Sequence, residues 1–206
     1  MAYKFAKKYV KRKQHRLQGF DYSTPANYFI TIVTEGRDNL FGSIVDENIC
    51  LYEAGRMVLN TYKTLVENYE CGLEPIIVVM PNHIHFVLRK CCEDTNIQTF
   101  IQKFKRLTTN KYIEGVNKNG WKHFGKRLWQ RNYYDHIIRS NQAYDFIVNY
   151  IHENPKRWSY DAINLNCCNT PDNIMAKVIE FDNIYNISTN IQTGGYADPP
   201  LQQHNN

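Results

Sequence analysis

Residues 78–88 read VVMPNHIHFVL, an apolar run that holds two histidines two positions apart. Side chains alternate between the two faces of a strand, so His83 and His85 are expected to point the same way. Ile84 and Phe86 fall on the opposite face, where they would anchor the strand to a core. Two neutral imidazoles on one face form half of a metal site, but such pairs also occur as ordinary polar residues of half-buried sheets.

Residues 140–155 carry the start and stop signals of a short helix. A serine or an asparagine can cap its start, and Pro155 ends it. The apolar stripe consists of Tyr144, Ile147, Val148 and Ile151. Tyr150 and Asn154 lie just off this stripe and are four residues apart, so both can face one neighbouring group. Taken alone, they could equally be a boundary aromatic residue and a C-terminal cap.

The remaining apolar patterns predict the order strand, helix, two strands, helix, strand, helix. The predicted strands before the last one are residues 27–34, 76–80 and 83–88, and the predicted helices before the last one are residues 47–69 and a segment capped at residues 94–96. Residues 115–125 are predicted to form a loop. This order favours an α+β sandwich in which helices cover an antiparallel sheet.

Composition and charge limit the class of protein. The chain has 206 residues, of which 43% are hydrophobic, enough for one main core. No apolar run is long enough to cross a membrane and the first residues lack a signal-peptide core, so we expect a cytoplasmic protein. Residues 1–16 hold seven basic and no acidic side chains, so the net charge of +5 arises in this arm. The arm is either a solvated tail or a segment that tracks a nucleic-acid backbone.

Several of these segments together resemble a known family. Residues 83–85, His-Ile-His after Met-Pro-Asn, resemble the HUH motif of single-tyrosine transposases of the "transposase 200-like" type. Residues 150–155, Tyr-Ile-His-Glu-Asn-Pro, resemble the catalytic helix of REP-associated tyrosine transposases. Residues 28–34 and 128–139 are similar to the family's first strand and to the strand before that helix. The resemblance implies a ferredoxin/RRM-like sandwich, with the His-x-His strand in the central antiparallel sheet and the tyrosine on a C-terminal helix.

The resemblance also implies an activity, which is metal-dependent cutting and rejoining of single-stranded DNA near a hairpin. His83 and His85 would bind a divalent ion, Mg²⁺ or Mn²⁺, with the side-chain oxygen of Asn154 as the third protein ligand. Tyr150 would be the nucleophile and would form a 5′-phosphotyrosine that stores the energy of the broken bond. The implied partner is single-stranded or hairpin DNA, and the protein would be a monomer or a homodimer.

Two other tyrosines are rival nucleophiles. Tyr133 and Tyr134 lie in a predicted strand, where one of them must face the core. Neither has a metal-capable residue four positions later, so both are less suitable than Tyr150.

The expected organisation is a basic N-terminal arm (1–21), a catalytic domain (22–160) and an Asn-rich C-terminal extension (161–206) that is partly disordered. Basic side chains of the arm, of the second predicted helix and of residues 128–139 are candidates for contact with DNA phosphates. These candidates are Lys7, Lys8, Lys11, Arg12, Lys13, Arg16, Lys103, Lys105, Arg106 and Arg131.

Two alternatives stay open from the sequence. One is a domesticated hairpin-binding protein or repressor that has the fold but little cleavage activity. The other is an unrelated hydrolase in which His83 and His85 bind zinc and activate a water molecule, which predicts no covalent adduct. The sequence offers no third strong zinc ligand at motif spacing.

Overall fold

The computed structural model describes residues 26–67, 75–90 and 96–167, together with residue 180. In chain order its elements are β1 (Ala26–Val33), β2 (Gly42–Val45), β3 (Asn48–Leu51), α1 (Glu53–Val66), β4 (Ile76–Val79), β5 (His83–Lys90), α2 (Ile97–Asn119), β6 (Tyr134–Ile138) and α3 (Asn141–Glu153). Short 3₁₀ helices span Glu35–Arg37 and Asn154–Tyr160. The basic arm (1–21) and most of the C-terminal extension lie outside the described residues, so the expectations for them stay predictions.

The main sheet has four antiparallel strands in the order β4-β5-β1-β6. Without the β2–β3 hairpin, the chain runs strand, helix, two strands, helix, strand, and places the first and third of these strands at the centre of the sheet. This is the ferredoxin/RRM-like arrangement, so the expected fold class is confirmed. The His-x-His strand, β5, is a central strand because it pairs with β1 on one side and β4 on the other.

Helices α1 and α2 cover one face of this sheet. Ile84 and Phe86 point into this layer, as the strand alternation predicted, and both are fully buried. The ring of Phe86 lies 4.8 Å from that of Tyr62 on α1 and 6.3 Å from that of Phe104 on α2. Burial of each large apolar side chain contributes about 1.5 to 3 kcal/mol, so this layer is the main source of stability.

Helix α3 packs on the other face, the one that carries the histidines. Its buried residues Ala143, Ile147 and Ile151 contact Phe29 and Val87 in a second, smaller core. Ser140 begins the helix as predicted, because its Oγ accepts a hydrogen bond of 3.1 Å from the backbone N–H of Ala143. The helix ends at Glu153, two residues before Pro155. Its C-terminal end lies beside the two histidines, as the contact between Tyr150 and His85 shows.

The prediction of a helix over residues 47–69 was wrong at its start. A hairpin of β2 and β3 occupies residues 42–51, and α1 begins only at Glu53. Asp46 and Glu47 form the hairpin turn with positive φ angles of 47° and 61°, and the Asn48 side chain donates a 2.6 Å hydrogen bond to Asp46 O. Such φ angles are incompatible with a right-handed helix, so the helical spacing of apolar residues that begins at Leu51 was read too far upstream.

The loop predicted at residues 115–125 was also too long. Helix α2 begins at the expected cap, where the Asn96 side chain accepts a hydrogen bond of 2.8 Å from Gln98 N. It continues to Asn119 and ends at Gly120, whose φ of 69° is left-handed. A Cβ at Gly115 would overlap the Trp121 ring, so the bare Cα of this glycine lets that ring pack against the helix.

Candidate functional site

His83 and His85 lie on the α3 side of β5, where both rings are buried. They point the same way, as predicted, and their Nε2 atoms are 3.0 Å apart. The ring of Trp158 stacks 6.0 Å from that of His83, and the ring of Phe29 stacks 5.3 Å from that of His85. Aromatic rings therefore hold both imidazoles in place while the two Nε2 atoms face one common point.

The hydrogen-bond partners of Asn82 define the tautomer of His83. The Asn82 side-chain NH₂ donates to two backbone carbonyl oxygens, Arg37 O at 3.0 Å and Ile163 O at 3.1 Å. Its Oδ1 must then face His83 Nδ1, which is 2.8 Å away and has to carry the proton that it donates. The Nε2 atom of His83 therefore presents a lone pair.

A side chain of β1 contacts the Nδ1 atom of His85 in a similar way. Thr31 pairs with His85 across the two strands, and its Oγ1 lies 2.8 Å from His85 Nδ1. In the tautomer with the proton on Nδ1, this hydroxyl accepts the hydrogen bond and Nε2 carries the lone pair that a metal ion needs. Burial lowers the pKa of His85 to about 3, and burial together with the neighbouring imidazole lowers the pKa of His83 well below its ordinary value. Both rings are therefore neutral at neutral pH, the form that binds metal ions.

A carboxylate that the sequence analysis did not single out completes this group. Asp161 Oδ2 lies 3.4 Å from His83 Nε2, and its side chain is 7% exposed. The other oxygen, Oδ1, accepts a hydrogen bond of 2.7 Å from Ile163 N. Asp161 follows the 3₁₀ helix after α3, at the first position of the segment that the sequence analysis assigned to an extension. No pattern in that segment marked it, because the contact is made through the tertiary fold.

The predicted third ligand, Asn154, follows the last residue of α3 and lines a cavity that also borders His85. It is 1% exposed, and its Oδ1 has no hydrogen-bond partner among the residues that the structure describes. A buried amide oxygen without a partner costs about 1 to 3 kcal/mol, which a ligand would offset. His85, Tyr150, Asn154 and Asp161 all line this cavity, whose volume is about 590 Å³.

The donor set fits a divalent ion. The candidate ligand atoms of His83, His85 and Asp161 all lie within 4.8 Å of one another. Bonds of about 2.1 Å to one ion place neighbouring ligand atoms roughly 3.0 to 3.4 Å apart, and the two contacts of His83 Nε2 are 3.0 and 3.4 Å. This buried group could therefore bind a metal ion, and nothing in its geometry selects which one.

The position of Tyr150 distinguishes it from its rivals. Its hydroxyl lies 3.3 Å from His85 Nε2, and its ring meets Phe29 edge-on at 6.1 Å. Tyr133 packs against the main core, under the ammonium group of Lys105. Tyr134 lines the cavity but is 41% exposed. The Tyr150 hydroxyl thus contacts a candidate metal ligand directly.

The basic side chains that were predicted to contact DNA are spread over several parts of the chain. Lys103 and Arg106 are exposed on α2, which packs on the sheet face away from the histidines. Lys105 is turned inward and donates to the carbonyl oxygens of Gln130, Arg131 and Asn132. Arg131 itself is exposed between two residues that line the cavity. The six candidates of the basic arm lie outside the described residues.

The sequence of this chain matches a family of known proteins. The family model described as "Transposase IS200 like" matches residues 23–154. The chain belongs to this transposase family. The resemblance deduced from the HUH-like and tyrosine motifs is therefore confirmed, and the family makes the chain a DNA-processing enzyme of DNA transposition.

The chain is also similar to individual proteins. The chain is 27% identical over 168 residues to an uncharacterized protein of Haemophilus influenzae, covering 74% of this chain and 92% of the relative. It is also 27% identical over 144 residues to a protein of the same organism named "Putative REP-associated tyrosine transposase", covering 68% and 76%. A solved structure of a REP-associated tyrosine transposase bound to a REP hairpin is 20% identical, with a TM-score of 0.45 over 63% of this chain and 66% of that one.

Membrane crossing was checked for the helices of residues 26–67, 75–90 and 96–167. Within those residues, no helix combines the length and apolar character needed to cross a membrane.

Proposed function

We propose that this transposase cuts single-stranded DNA near a hairpin and transfers the strand through a covalent 5′-phosphotyrosine. Tyr150 is the nucleophile, and a divalent ion, Mg²⁺ or Mn²⁺, is held by His83, His85 and Asn154. The observation that carries the proposal is the contact of 3.3 Å between the Tyr150 hydroxyl and His85 Nε2. A nucleophile at this distance from a metal-binding nitrogen can attack a phosphate that is bound at the same point.

The step is a transesterification that needs no external energy source. The phenolic oxygen of Tyr150 forms a bond to phosphorus, and the bond between phosphorus and the 3′ oxygen breaks. The phenol loses its proton, and the leaving 3′ oxygen takes one up. When bound, a divalent ion supplies positive charge at the scissile phosphate. The reverse reaction with another 3′-hydroxyl rejoins the strand.

The chain's own residues orient the reactants. Phe29 packs against both His85 and Tyr150, so it fixes the angle between the nucleophile and the ligand. Asn82 holds His83 in the tautomer that leaves Nε2 as an acceptor, and Thr31 orients the ring of His85 through its Nδ1. Substrate positioning of this kind lowers the barrier because it replaces a bimolecular encounter by a prearranged contact.

The cavity beside Tyr150 is the proposed path of the DNA strand. Its rim carries two half-exposed tyrosines, Tyr134 at 41% and Tyr160 at 45% exposure. Unpaired bases stack on aromatic side chains, with about 1 to 3 kcal/mol for each base. Arg157 also lines the cavity and can contact a phosphate. Single-stranded DNA, whose bases are exposed, suits this wall better than a duplex does.

Backbone contacts outside the cavity are proposed for the basic arm and for the exposed cations Lys103, Arg106 and Arg131. Such contacts raise affinity for any sequence and make binding salt-dependent. The proposed contacts of the arm are Lys7, Lys8, Lys11, Arg12, Lys13 and Arg16.

The test uses single-stranded hairpin DNA from the flanks of the gene, labelled at the 3′ end and incubated with protein and Mn²⁺. A denaturing protein gel then detects covalent attachment of the label. We expect a labelled adduct with the natural protein and with Tyr134→Phe, the matched control from the same cavity. Tyr150→Phe and chelator should each abolish it.

Other outcomes assign the chain differently. Cleavage without an adduct means that water is the nucleophile and that the site is a metal hydrolase. Tight hairpin binding with neither cleavage nor adduct means a hairpin-binding protein or repressor. An adduct that persists in Tyr150→Phe and disappears in Tyr134→Phe would transfer the role of nucleophile to Tyr134.

A further inference from the structure

Asp161 approaches His83 from the segment that follows the tyrosine helix. We propose that Asp161 is a fourth protein ligand of the divalent ion, which gives the site a negatively charged oxygen in addition to two imidazoles and one amide. The inference rests on the proposed function for the presence of an ion. It goes further because it assigns a role to a carboxylate that lies beyond the matched residues 23–154.

Two ring nitrogens and one carboxylate oxygen lie close together at this point. His83 Nε2 carries a lone pair, because the hydrogen bonds of Asn82 place the ring proton on Nδ1. Asp161 Oδ2 lies 3.4 Å from this nitrogen, and His85 Nε2 lies 3.0 Å from it. A nitrogen lone pair and a carboxylate oxygen repel each other in a buried site unless a positive charge lies between them.

A proton on His83 Nε2 is a poor substitute for a metal ion. It would either charge a fully buried imidazole or move the other proton away from Nδ1. In the second case, Nδ1 and Asn82 Oδ1 would be two acceptors at 2.8 Å. Rotating the Asn82 amide does not help, because its oxygen would then face the carbonyl oxygens of Arg37 and Ile163. A cation bound by all three atoms satisfies every partner.

Hydrogen bonds of the backbone around Asp161 hold its carboxylate in place beside His83. Oδ1 accepts the Ile163 N–H at 2.7 Å, which orients the carboxylate and leaves Oδ2 toward His83. The carbonyl of Ala162 accepts a hydrogen bond of 3.1 Å from the Arg37 guanidinium, and that of Ile163 accepts from Asn82. Asn82 therefore supports both the ring of His83 and the turn that carries Asp161.

A carboxylate ligand changes the chemistry of the site. Carboxylate and amide oxygens suit Mg²⁺ and Mn²⁺, whereas imidazoles alone suit zinc and nickel. Four protein ligands would leave coordination positions of the ion open to phosphate oxygens or water. The added negative charge also lets the protein hold its ion before DNA arrives, so metal binding and DNA binding become separable measurements.

The experiment titrates Mn²⁺ into the full chain by calorimetry without DNA. Asp161→Asn is the informative variant, because its Oδ1 can still accept the Ile163 N–H while its NH₂ donates to His83 Nε2. We expect Mn²⁺ affinity to fall at least about tenfold, the lower end of the loss seen even for groups that only support a ligand. The control is Asp135→Asn, a carboxylate of the same cavity outside the histidine group, which should bind Mn²⁺ as the natural protein does.

Thermal unfolding gives a second readout that a merely structural role would not reproduce. In chelator, Asp161→Asn should melt at the same temperature as the natural protein or higher, because a donor has replaced a repelled acceptor. With Mn²⁺, the natural protein should gain stability and the variant should gain little.

The outcomes separate this inference from the proposed function. Equal Mn²⁺ affinity in Asp161→Asn and the natural protein would overturn the role of Asp161 and leave the other ligands in place. Absence of Mn²⁺ and Mg²⁺ binding by the natural protein would overturn the metal itself, and this inference with it. A variant that is strongly destabilised in chelator would show that the carboxylate is structural.

Discussion

The ammonium group of Lys105 reaches from α2 to a loop at the edge of the cavity. Its Nζ donates to Gln130 O at 2.9 Å, Arg131 O at 3.4 Å and Asn132 O at 3.0 Å, and lies 5.5 Å from the centre of the Tyr133 ring. Burial lowers the pKa of Lys105 from 10.5 to about 8. The structure thus commits this lysine to the protein's own backbone, which leads to a measurable dependence of stability on pH.

The sign follows from the direction of the shift. Because the folded pKa lies below the unfolded one, the unfolded chain binds the proton more tightly between pH 8 and 10.5. The contribution of Lys105 to stability is therefore complete above pH 10.5 and is lost as the pH falls through 8. Between pH 7 and 9.5, these two pKa values correspond to a gain of about 2 kcal/mol for the natural protein, at about 1.4 kcal/mol for each pKa unit.

The assay is urea unfolding of the natural protein and Lys105→Met at pH 7, 8.5 and 9.5, under reducing conditions. Tyrosines and cysteines titrate in both proteins, so the difference between them isolates Lys105. We expect this difference to shift by about 2 kcal/mol in favour of the natural protein over that range. Lys103→Met, an exposed neighbour on the same helix, is the matched control and should show a constant difference. A constant difference for Lys105→Met as well would refute the view that its ammonium is held out of water.

Three further predictions test the site, the fold and the DNA interface. Thr31→Val removes the hydroxyl beside His85 Nδ1 and should weaken Mn²⁺ binding by about 10- to 100-fold in calorimetry; an unchanged affinity would mean that this hydroxyl does not orient the ring. Gly115→Ala places a methyl group against the Trp121 ring and should lower the free energy of unfolding in urea by about 1 to 3 kcal/mol, whereas a neutral effect would show that the ring can move aside. A triple alanine variant of the arm should weaken binding to all DNA sequences alike and flatten its salt dependence by about one slope unit for each lost phosphate contact, and an unchanged slope would remove the arm from the interface. The variant combines Lys7→Ala, Lys8→Ala and Lys11→Ala.

Elements with a strong local signal were predicted well. The alternation in β5 placed the histidines on one face and Ile84 and Phe86 on the other, because strand geometry leaves no other choice. Spacing along α3 likewise brought Tyr150 and Asn154 to one cavity. These predictions rest on periodicity within one element, which tertiary structure seldom overrides when one face is buried.

The β2–β3 hairpin shows where periodicity fails. Its strands have four residues each, too few to establish an alternation, and its Asp-Glu turn lacks the glycine that usually marks such a turn. The apolar residues Leu51, Ala54 and Val58 meanwhile continue one helical spacing across the true boundary. A helix was therefore the better local interpretation, and only the packing of the hairpin overrides it.

The position of Asp161 could not be predicted because it depends on contacts between distant parts of the chain, as the hydrogen bonds of Asn82 show. One hydrogen bond from the Asn82 side chain to Ile163 O joins positions that are 81 residues apart. The same amide determines which nitrogen of His83 bears a proton. The placement of Asp161 against that ring thus follows from a shared partner rather than from spacing within either segment. Since the His-x-His motif is read from β5 and the tyrosine motif from α3, a ligand delivered by the turn after them is invisible to both motifs, even though it faces the same point in space.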